Sequence, residues 1–182
     1  MSMSKKAITL SINSLVIIIL SLVILSLGIV LMRAFFKSTA EIKAQIDAQT
    51  ESKIASLLAE GEPLAVPVNR KTIQAKKHST FGLGILNIIQ EPGQNTFIIN
   101  IRFSGAYDRM NNVISIDAET AEGWLLYDED SFTLQANEQK IIPILVAVPP
   151  SAPGTYIFTI EVQDAVAGTR YNSLQKIYVE VP

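Results

Sequence analysis

The sequence predicts an α+β protein in which a long apolar N-terminal helix is followed by an all-β antiparallel sandwich. The residues between Lys6 and Arg33 carry no charge over a stretch long enough to cross a bilayer. From Glu62 onward, short runs of alternating apolar and polar residues are separated by turn residues, which is typical of half-buried strands. The 182 residues include no cysteine, so neither disulfides nor thiolate metal sites hold the β-domain together.

Composition excludes one class of partner and limits the number of domains. The formal net charge is −2, and the basic residues are scattered along the chain. Nucleic-acid-binding proteins instead gather lysine and arginine on one face, so we expect no nucleic acid as a partner. The length after the apolar stretch suits a single globular domain.

The uncharged stretch AITLSINSLVIIILSLVILSLGIVLM predicts a transmembrane helix over 8–36. About 26 residues at about 1.5 Å each give roughly 39 Å of helix, enough to span the hydrocarbon core. A cleaved secretory signal is the poorer interpretation, because the apolar run is too long and no small-residue cleavage site follows it.

Flanking charges leave the orientation of this helix close to a tie. Lys5 and Lys6 precede it, and Arg33, Lys37 and Lys43 follow it. The tail before the helix is too short to be a domain, whereas the β-rich segment after it resembles surface modules. We therefore expect a single-pass protein in the cell membrane, with a cytoplasmic N-terminus and an extracytoplasmic β-domain.

Polar and small residues within the apolar stretch are candidates for helix–helix assembly. Thr9, Asn13, Ser21 and Gly28 would let neighbouring helices approach closely and bond to one another. The alternative is that serine and threonine bond their own helix backbone. Asn13 is harder to explain in that way, since its amide is costly to leave unpaired in lipid.

The residues Lys6-Ala7-Ile8-Thr9, followed directly by the apolar helix, resemble the class III signal peptide of archaeal type IV pilin-like proteins. The resemblance implies that a prepilin peptidase cuts after Ala7 and leaves Ile8 as the first mature residue. Bacterial pilins usually have glutamate at the fifth mature position, where this chain has Ile12. The implied partners are copies of this chain or related pilins, the peptidase, the pilus assembly machinery and the membrane.

A second helical pattern follows the apolar stretch. Ser38-Thr39-Ala40-Glu41 fits a capping box, and Gly61 is a natural helix end. Between them Ile42, Ile46, Ile54, Leu57 and Leu58 recur at near-helical spacing. The expected organisation is a short basic leader over 1–7, the helix over 8–36, an amphipathic helical extension over 37–61 and the sandwich over 62–182. Whether the helix is continuous or broken near Lys37 stays open.

Alternation predicts the strands of the β-domain. The clearest strand is Thr155 to Gln163, in which every second side chain is large and apolar. The other strands are expected at Phe81–Ile88, Phe97–Phe103, Val113–Asp117, Trp124–Tyr127, Ile141–Val148 and Ile177–Val181. About eight strands suit one sandwich.

Two segments of the β-domain resemble each other. Thr72-Ile73-Gln74-Ala75 leads through a polar turn into one apolar run, and Thr133-Leu134-Gln135-Ala136 leads into another. We interpret them as the same hairpin geometry used twice. The segment from Phe132 to Val162, with its proline-rich loop before Tyr156, resembles immunoglobulin-like modules of prokaryotic surface proteins, which implies an immunoglobulin-like antiparallel sandwich.

The reactive and potential metal-binding residues of the sequence predict no catalytic site. The single histidine, His78, follows two lysines in a segment that predicts an exposed turn. Asp128-Glu129-Asp130 lacks the spacing and the glycine of a calcium loop, so a solvated loop is favoured. Gly82-Leu83-Gly84 is followed by no phosphate-binding residues, and we expect these glycines to lie under a bulky neighbour. We expect no enzyme, no metal site and no cofactor.

Two functions follow from these patterns. The favoured one is a structural subunit of a type IV pilus-like filament at the cell surface, assembled through the apolar helix. The alternative is a membrane-anchored protein whose immunoglobulin-like domain binds a protein or a glycan.

Overall fold

The computed structural model describes residues 46–89, 94–150 and 153–182, together with Ile17, Ile19 and Leu20. The chain divides into two compact units, Met1–Glu41 and Ile42–Pro182. In the first unit, Ile17, Ile19 and Leu20 are helical and more than half exposed. The rest of the predicted helix over 8–36 lies outside the described residues, and none of the helices within them is long and apolar enough to cross a membrane.

The described residues of the second unit form two helices and ten strands. The helices are α1 (Ala48–Ala59) and α2 (Ala118–Glu122). The strands are β1 (Leu64–Ala65), β2 (Arg70–Thr72), β3 (His78–Leu86), β4 (Gln94–Tyr107), β5 (Leu125–Leu126), β6 (Phe132–Gln135), β7 (Gln139–Ala147), β8 (Gly154–Asp164), β9 (Thr169–Arg170) and β10 (Gln175–Val181). The helical extension predicted over 37–61 is thus a helix over Ala48–Ala59 in the same unit as the sandwich, and residues 37–45 lie outside the described part.

The strands form an immunoglobulin-like β-sandwich of two sheets. One sheet has the order β1-β3-β7-β5, and the other has the order β2-β10-β8-β4-β6 with β9 paired to β8. Every second side chain of β8, from Tyr156 to Val162, is at most 3% exposed, which confirms the alternation predicted for that strand. Each such side chain contributes roughly 1.5–3 kcal/mol by leaving water, so the alternation fixes the register of the inner face.

Two details of the predicted sandwich are wrong. The segment Val113–Asp117 makes only an isolated bridge between Val113 and Tyr107, because Ile114 and Ile116 pack onto the core from an irregular segment. The sandwich is also not purely antiparallel, since β2 pairs with β10 in parallel. A parallel pair needs a long crossover rather than a tight turn, and here nearly the whole sandwich lies between the two strands.

The two similar segments are not hairpins, although they do share one geometry. β2 and β6 lie in one sheet, whereas β3 and β7, which follow them, lie in the other. Each turn therefore carries the chain from sheet to sheet, and Lys76 and Asn137 occupy equivalent left-handed positions, both with φ of 63°. The hairpin interpretation failed because strand, polar turn and strand give the same sequence pattern whether the two strands pair or face each other.

The two turns are also anchored in equivalent ways. Lys76 N–H donates to Val148 O at 3.0 Å, just after β7, and Asn137 N–H donates to Asn87 O at 2.8 Å, just after β3. The antiparallel pair β3–β7 thus relates two similar units of the sandwich, β2 with β3 and β6 with β7. Asn87 is fully buried, and its Nδ2 also donates to Leu134 O at 3.1 Å and Gln135 O at 3.0 Å.

Candidate functional site at the junction of helix and sandwich

The predicted site residues lie outside the described part of the chain. These residues are Lys6, Ala7 and Ile8 for processing, and Thr9, Asn13, Ser21 and Gly28 for helix assembly. The described feature that bears on assembly is the attachment of α1 to the sandwich, since α1 is the first described element of its unit. Three features make up that attachment: the N-cap of α1, the glycines of β3 that lie under α1, and the turn that ends α1.

Asp47 begins α1 as its N-cap. Its Oδ1 accepts from Thr50 N at 2.7 Å and its Oδ2 accepts from Thr50 Oγ1 at 2.8 Å. Hydrogen bonding from the Thr50 backbone and hydroxyl lowers the pKa of the Asp47 carboxyl below its ordinary value. The capping box predicted at 38–41 lies outside the described residues. Asp47 was missed, although a short acidic residue before Thr50 and Glu51 is a recognisable helix start.

Glycines let α1 lie directly on the outer face of β3. A Cβ at Gly82 would stand 2.6 Å from Ile54 Cδ1, and a Cβ at Gly84 would stand 2.3 Å from Ile54 Cγ2. Ile54 is fully buried and Leu58 is 2% exposed, and together with Ala65 they form a second apolar cluster outside the main core. The prediction that these glycines lie under a bulky neighbour is confirmed, and Ile54 is that neighbour.

A Schellman turn ends α1 and leads directly into the first sheet. Gly61 N–H donates to Leu58 O at 3.0 Å and Glu62 N–H donates to Leu57 O at 3.1 Å. Gly61 has φ of 94°, a conformation that a glycine adopts without strain, which confirms it as the helix end. Two residues later β1 pairs with β3, so the C-terminal end of the helix is fixed to the sandwich.

Lys71 connects both sheets with the start of α1. It belongs to β2, yet its Nζ donates to Thr80 O of β3 at 2.6 Å and lies 5.4 Å from the centre of the Phe81 ring. Burial lowers the pKa of the Lys71 ammonium, and the nearby Asp47 carboxylate opposes that shift. A charged donor on the open side of β3 occupies a carbonyl that another strand would otherwise use.

Other strand edges are occupied by side chains in the same manner. On β4, Ile101 N–H donates to Tyr127 Oη at 3.3 Å and Phe103 N–H donates to Glu122 Oε1 at 2.8 Å. On β6, Gln135 N–H donates to Glu138 Oε2 at 2.7 Å. These bonds satisfy N–H groups that would otherwise be available to a strand from another molecule.

Proline occupies the open side of β7. Ala147 N–H donates to Trp124 O at 2.8 Å on the β5 side, and amide direction alternates along a strand, so Pro143 faces the same side. Pro143 has no N–H, and β5 pairs with only Leu145 and Val146. A strand added alongside β7 would find no N–H donor at Pro143.

The residues considered for catalysis or metal binding lie on the surface. His78 is exposed, as predicted, but it is the first residue of β3 and does not lie in the turn before that strand. Asp128, Glu129 and Asp130 are exposed in a loop. Within the described ranges, no group of three or more potential metal-ligating side chains comes together.

Comparisons with known proteins bear on the fold alone. No protein-family model matches the sequence, and no curated protein is similar to it at a significant level. Among solved structures, the chain is similar to the ASH/PapD-like domain 7 of human CEP192, with 11% identity and a TM-score of 0.44 over 66% of this chain and 85% of that one. It is also similar to WR4, a Caenorhabditis elegans member of the MSP family, with 9% identity and a TM-score of 0.39 over 66% and 99% of the two chains.

A third similar structure is the class 5 fimbriae chaperone CfaA, with 11% identity and a TM-score of 0.40. The alignment covers 65% of this chain and 56% of that one. At such identities and TM-scores, these similarities say nothing about what the protein binds.

Proposed function

We propose that this protein is a structural subunit of a type IV pilus-like filament at the cell surface, assembled through its hydrophobic N-terminal helix. The observation that carries the proposal is the way α1 is built into the sandwich. The uncharged run ends at Met32, and Asp47, the N-cap of α1, follows 15 residues later in the sequence. A force applied to the N-terminal segment would therefore reach the sandwich through α1, which is capped, packs Ile54 and Leu58 against the sandwich and ends in a Schellman turn.

The occupied strand edges support assembly through the helix. Subunits with open edges can polymerise by adding strands to one another, as in β-augmentation. Here Lys71, Tyr127, Glu122, Glu138 and Pro143 obstruct that route on four strands. The uncharged N-terminal run is then the candidate polymerisation surface, because outside a bilayer its side chains need the apolar helices of other subunits.

The leader pattern gives the proposal its order of events. The Lys6-Ala7-Ile8 pattern would be cut on the cytoplasmic side by a prepilin peptidase, leaving Ile8 first and the apolar helix attached. Copies of this chain or related pilins would then be the partners, and the assembly machinery would move them out of the membrane. Thr9, Asn13, Ser21 and Gly28 would lie within the helix contacts.

Mass spectrometry of the native protein tests the proposal. We expect a chain that starts at Ile8, in material that is sheared from cells as filaments visible by electron microscopy. Ala7→Leu should block processing and abolish filaments, while the matched control Ala40→Leu should leave both intact. A native chain that keeps Met1 or Ser2 and stays in the membrane would refute the proposal and favour an anchored binding module.

A further inference from the structure

The two ends of the sandwich carry opposite charge. We call the end formed by residues 74–78, 108–113, 148–150 and Pro182 the entry end, because the chain enters α1 beside it. The opposite end, formed by Glu60–Glu62, Asn87–Ile89, the turn at 136–138 and the turn at 164–168, is the far end. Strand directions place these turns together, since β3 starts and β4 ends at the entry end.

Basic side chains dominate the entry end. Lys76, Lys77 and Arg109 are exposed there. The carboxylate of Asp108 is turned into its own loop, where it accepts from Met110 N, Asn112 N and Asn112 Nδ2 at 2.8, 2.8 and 2.9 Å. Glu180 accepts from Arg70 and from Thr72, so its charge is shared within the sheet.

Acidic side chains dominate the far end. Glu60, Glu62 and Glu138 are exposed, and Asp164 is half-buried in the β8–β9 turn. Among the described residues of these far-end turns there is no lysine or arginine. Lys140 and Arg170 flank these turns, but Lys140 lies over the Phe132 ring and Arg170 pairs with Glu161. The turns of the far end are thus acidic where those of the entry end are basic.

Each end also projects an apolar residue from a turn held by an aspartate. Asp108 Oδ1 accepts from Met110 N at 2.8 Å, and Met110 is 85% exposed. Asp164 Oδ1 accepts from Val166 N at 2.8 Å, and Val166 is 84% exposed. A single exposed apolar residue is ordinary, but these two stand at the tips of fixed turns at opposite ends.

We propose that the entry end of one sandwich docks on the far end of a second copy. Opposite charges at the rim would orient the contact, and Met110 and Val166 would lie within its apolar centre. Two different surfaces of the same chain meet, so the contact is heterologous and propagates along a row of copies instead of closing a dimer. The contact rests on the proposed function, since a filament brings many copies into alignment.

Cysteine cross-linking tests the contact in the full chain, which has no cysteine of its own. In native membranes or filaments, oxidation of the double variant Met110→Cys/Val166→Cys should give a ladder of dimers, trimers and longer species. Either single variant can form at most one disulfide per chain, and it should give no cross-linked dimer, because each end meets the other end and not itself. The matched control Leu126→Cys/Val166→Cys uses an exposed site on β5 and should also give none.

Charge reversal tests the orientation. Lys76→Glu/Lys77→Glu should reduce the ladder at least about threefold, since two attractive pairs become repulsive at the rim. Adding Glu60→Lys/Glu62→Lys should restore it, and raising the salt concentration should weaken the ladder of the unreversed double variant.

Three results would overturn the contact. They are cross-linked dimers from both single variants, an unchanged ladder after charge reversal, and the absence of a ladder from processed filaments that start at Ile8. The entry end would instead be assigned to the membrane surface by a different pair of results. The cysteine double variant would give no ladder, and the chain would bind phosphatidylglycerol vesicles in a way that Lys76→Glu/Lys77→Glu abolishes. A ladder in a chain that keeps Met1 would support the contact while the proposed function fails.

Discussion

Placing a methyl group at Gly84 should loosen α1 from the sandwich. The new Cβ would lie 2.3 Å from Ile54 Cγ2 and 3.1 Å from Leu58 Cδ1, whereas carbon atoms in contact normally stand about 3.5–4.0 Å apart. Ile54 is fully buried and cannot swing into solvent without leaving its cluster. Gly84→Ala should therefore cost about 1–3 kcal/mol, the usual range for overpacking a core.

The cost should come from this one contact, and a double-mutant cycle isolates it. Ile54→Ala alone should cost about 2–5 kcal/mol through the cavity that it leaves. In Gly84→Ala/Ile54→Ala, the added methyl meets a smaller side chain. The double variant should therefore lose less unfolding free energy than the sum of the losses of the two single variants. Residues that share a contact usually couple by about 0.5–3 kcal/mol.

Denaturant unfolding of the full chain in detergent measures these costs, with Trp124 as the probe of the sandwich. Trp124 is 8% exposed and its ring centre lies 4.5 Å from that of Tyr156, so its emission should change on unfolding. Hydrogen exchange across Ala48–Ala59 should rise in Gly84→Ala. The control is Gly123→Ala, where φ is −62° and the Cβ would have contacts of 3.4 and 3.5 Å. Equal stability of both variants, without faster exchange in α1, would refute the reasoning.

Two further predictions concern polar groups. Asn87→Leu should lower the free energy of unfolding by about 3–5 kcal/mol, because Leu134 O, Gln135 O and Ile89 N would lose their side-chain partners. Urea unfolding measures this loss, with Asn137→Gly as the surface control. Stability should also fall as the pH drops below about 4.5. Hydrogen bonds lower the pKa of Asp47, and the bond from Arg70 lowers the pKa of Glu180, so these carboxylates take up protons in the unfolded state first. Melting temperatures from pH 7 to pH 3 measure that loss, and Asp47→Asn/Glu180→Gln should reduce the slope; an unchanged slope would contradict it.

The inner faces of the sandwich could be predicted from the sequence because alternation is a local property. Ile177, Val179 and Val181 are each at most 3% exposed, as their spacing in the last strand predicts. Pairing partners could not be predicted in this way. Nothing in Thr133–Ala136 indicates whether the next strand lies beside it or across the core, because that choice is made by contacts between distant parts of the chain.

The junction of helix and sandwich was only partly predictable for a related reason. The glycines of β3 predicted a close neighbour, but Ile54 could be identified only once the helix and the strand were in contact. Lys71 gave no signal, because a lysine in a short polar strand is ordinarily solvated. Its role depends on β2 lying beside the open edge of the other sheet, which is a property of the topology.

The occupied strand edges have a further consequence if the protein assembles in many copies, as proposed. Tethering subunits side by side raises their effective concentration to the millimolar range, where even weakly exposed edges would find partners. Strand addition between sandwiches would then compete with any ordered contact and lead to aggregation. Side chains that satisfy edge amides at Ile101, Phe103 and Gln135 weaken that competitor along β4 and β6 at little cost, since each bond replaces one to water. On the proposed function, ordered assembly would then use the apolar N-terminal run and the charged turns at the two ends of the sandwich.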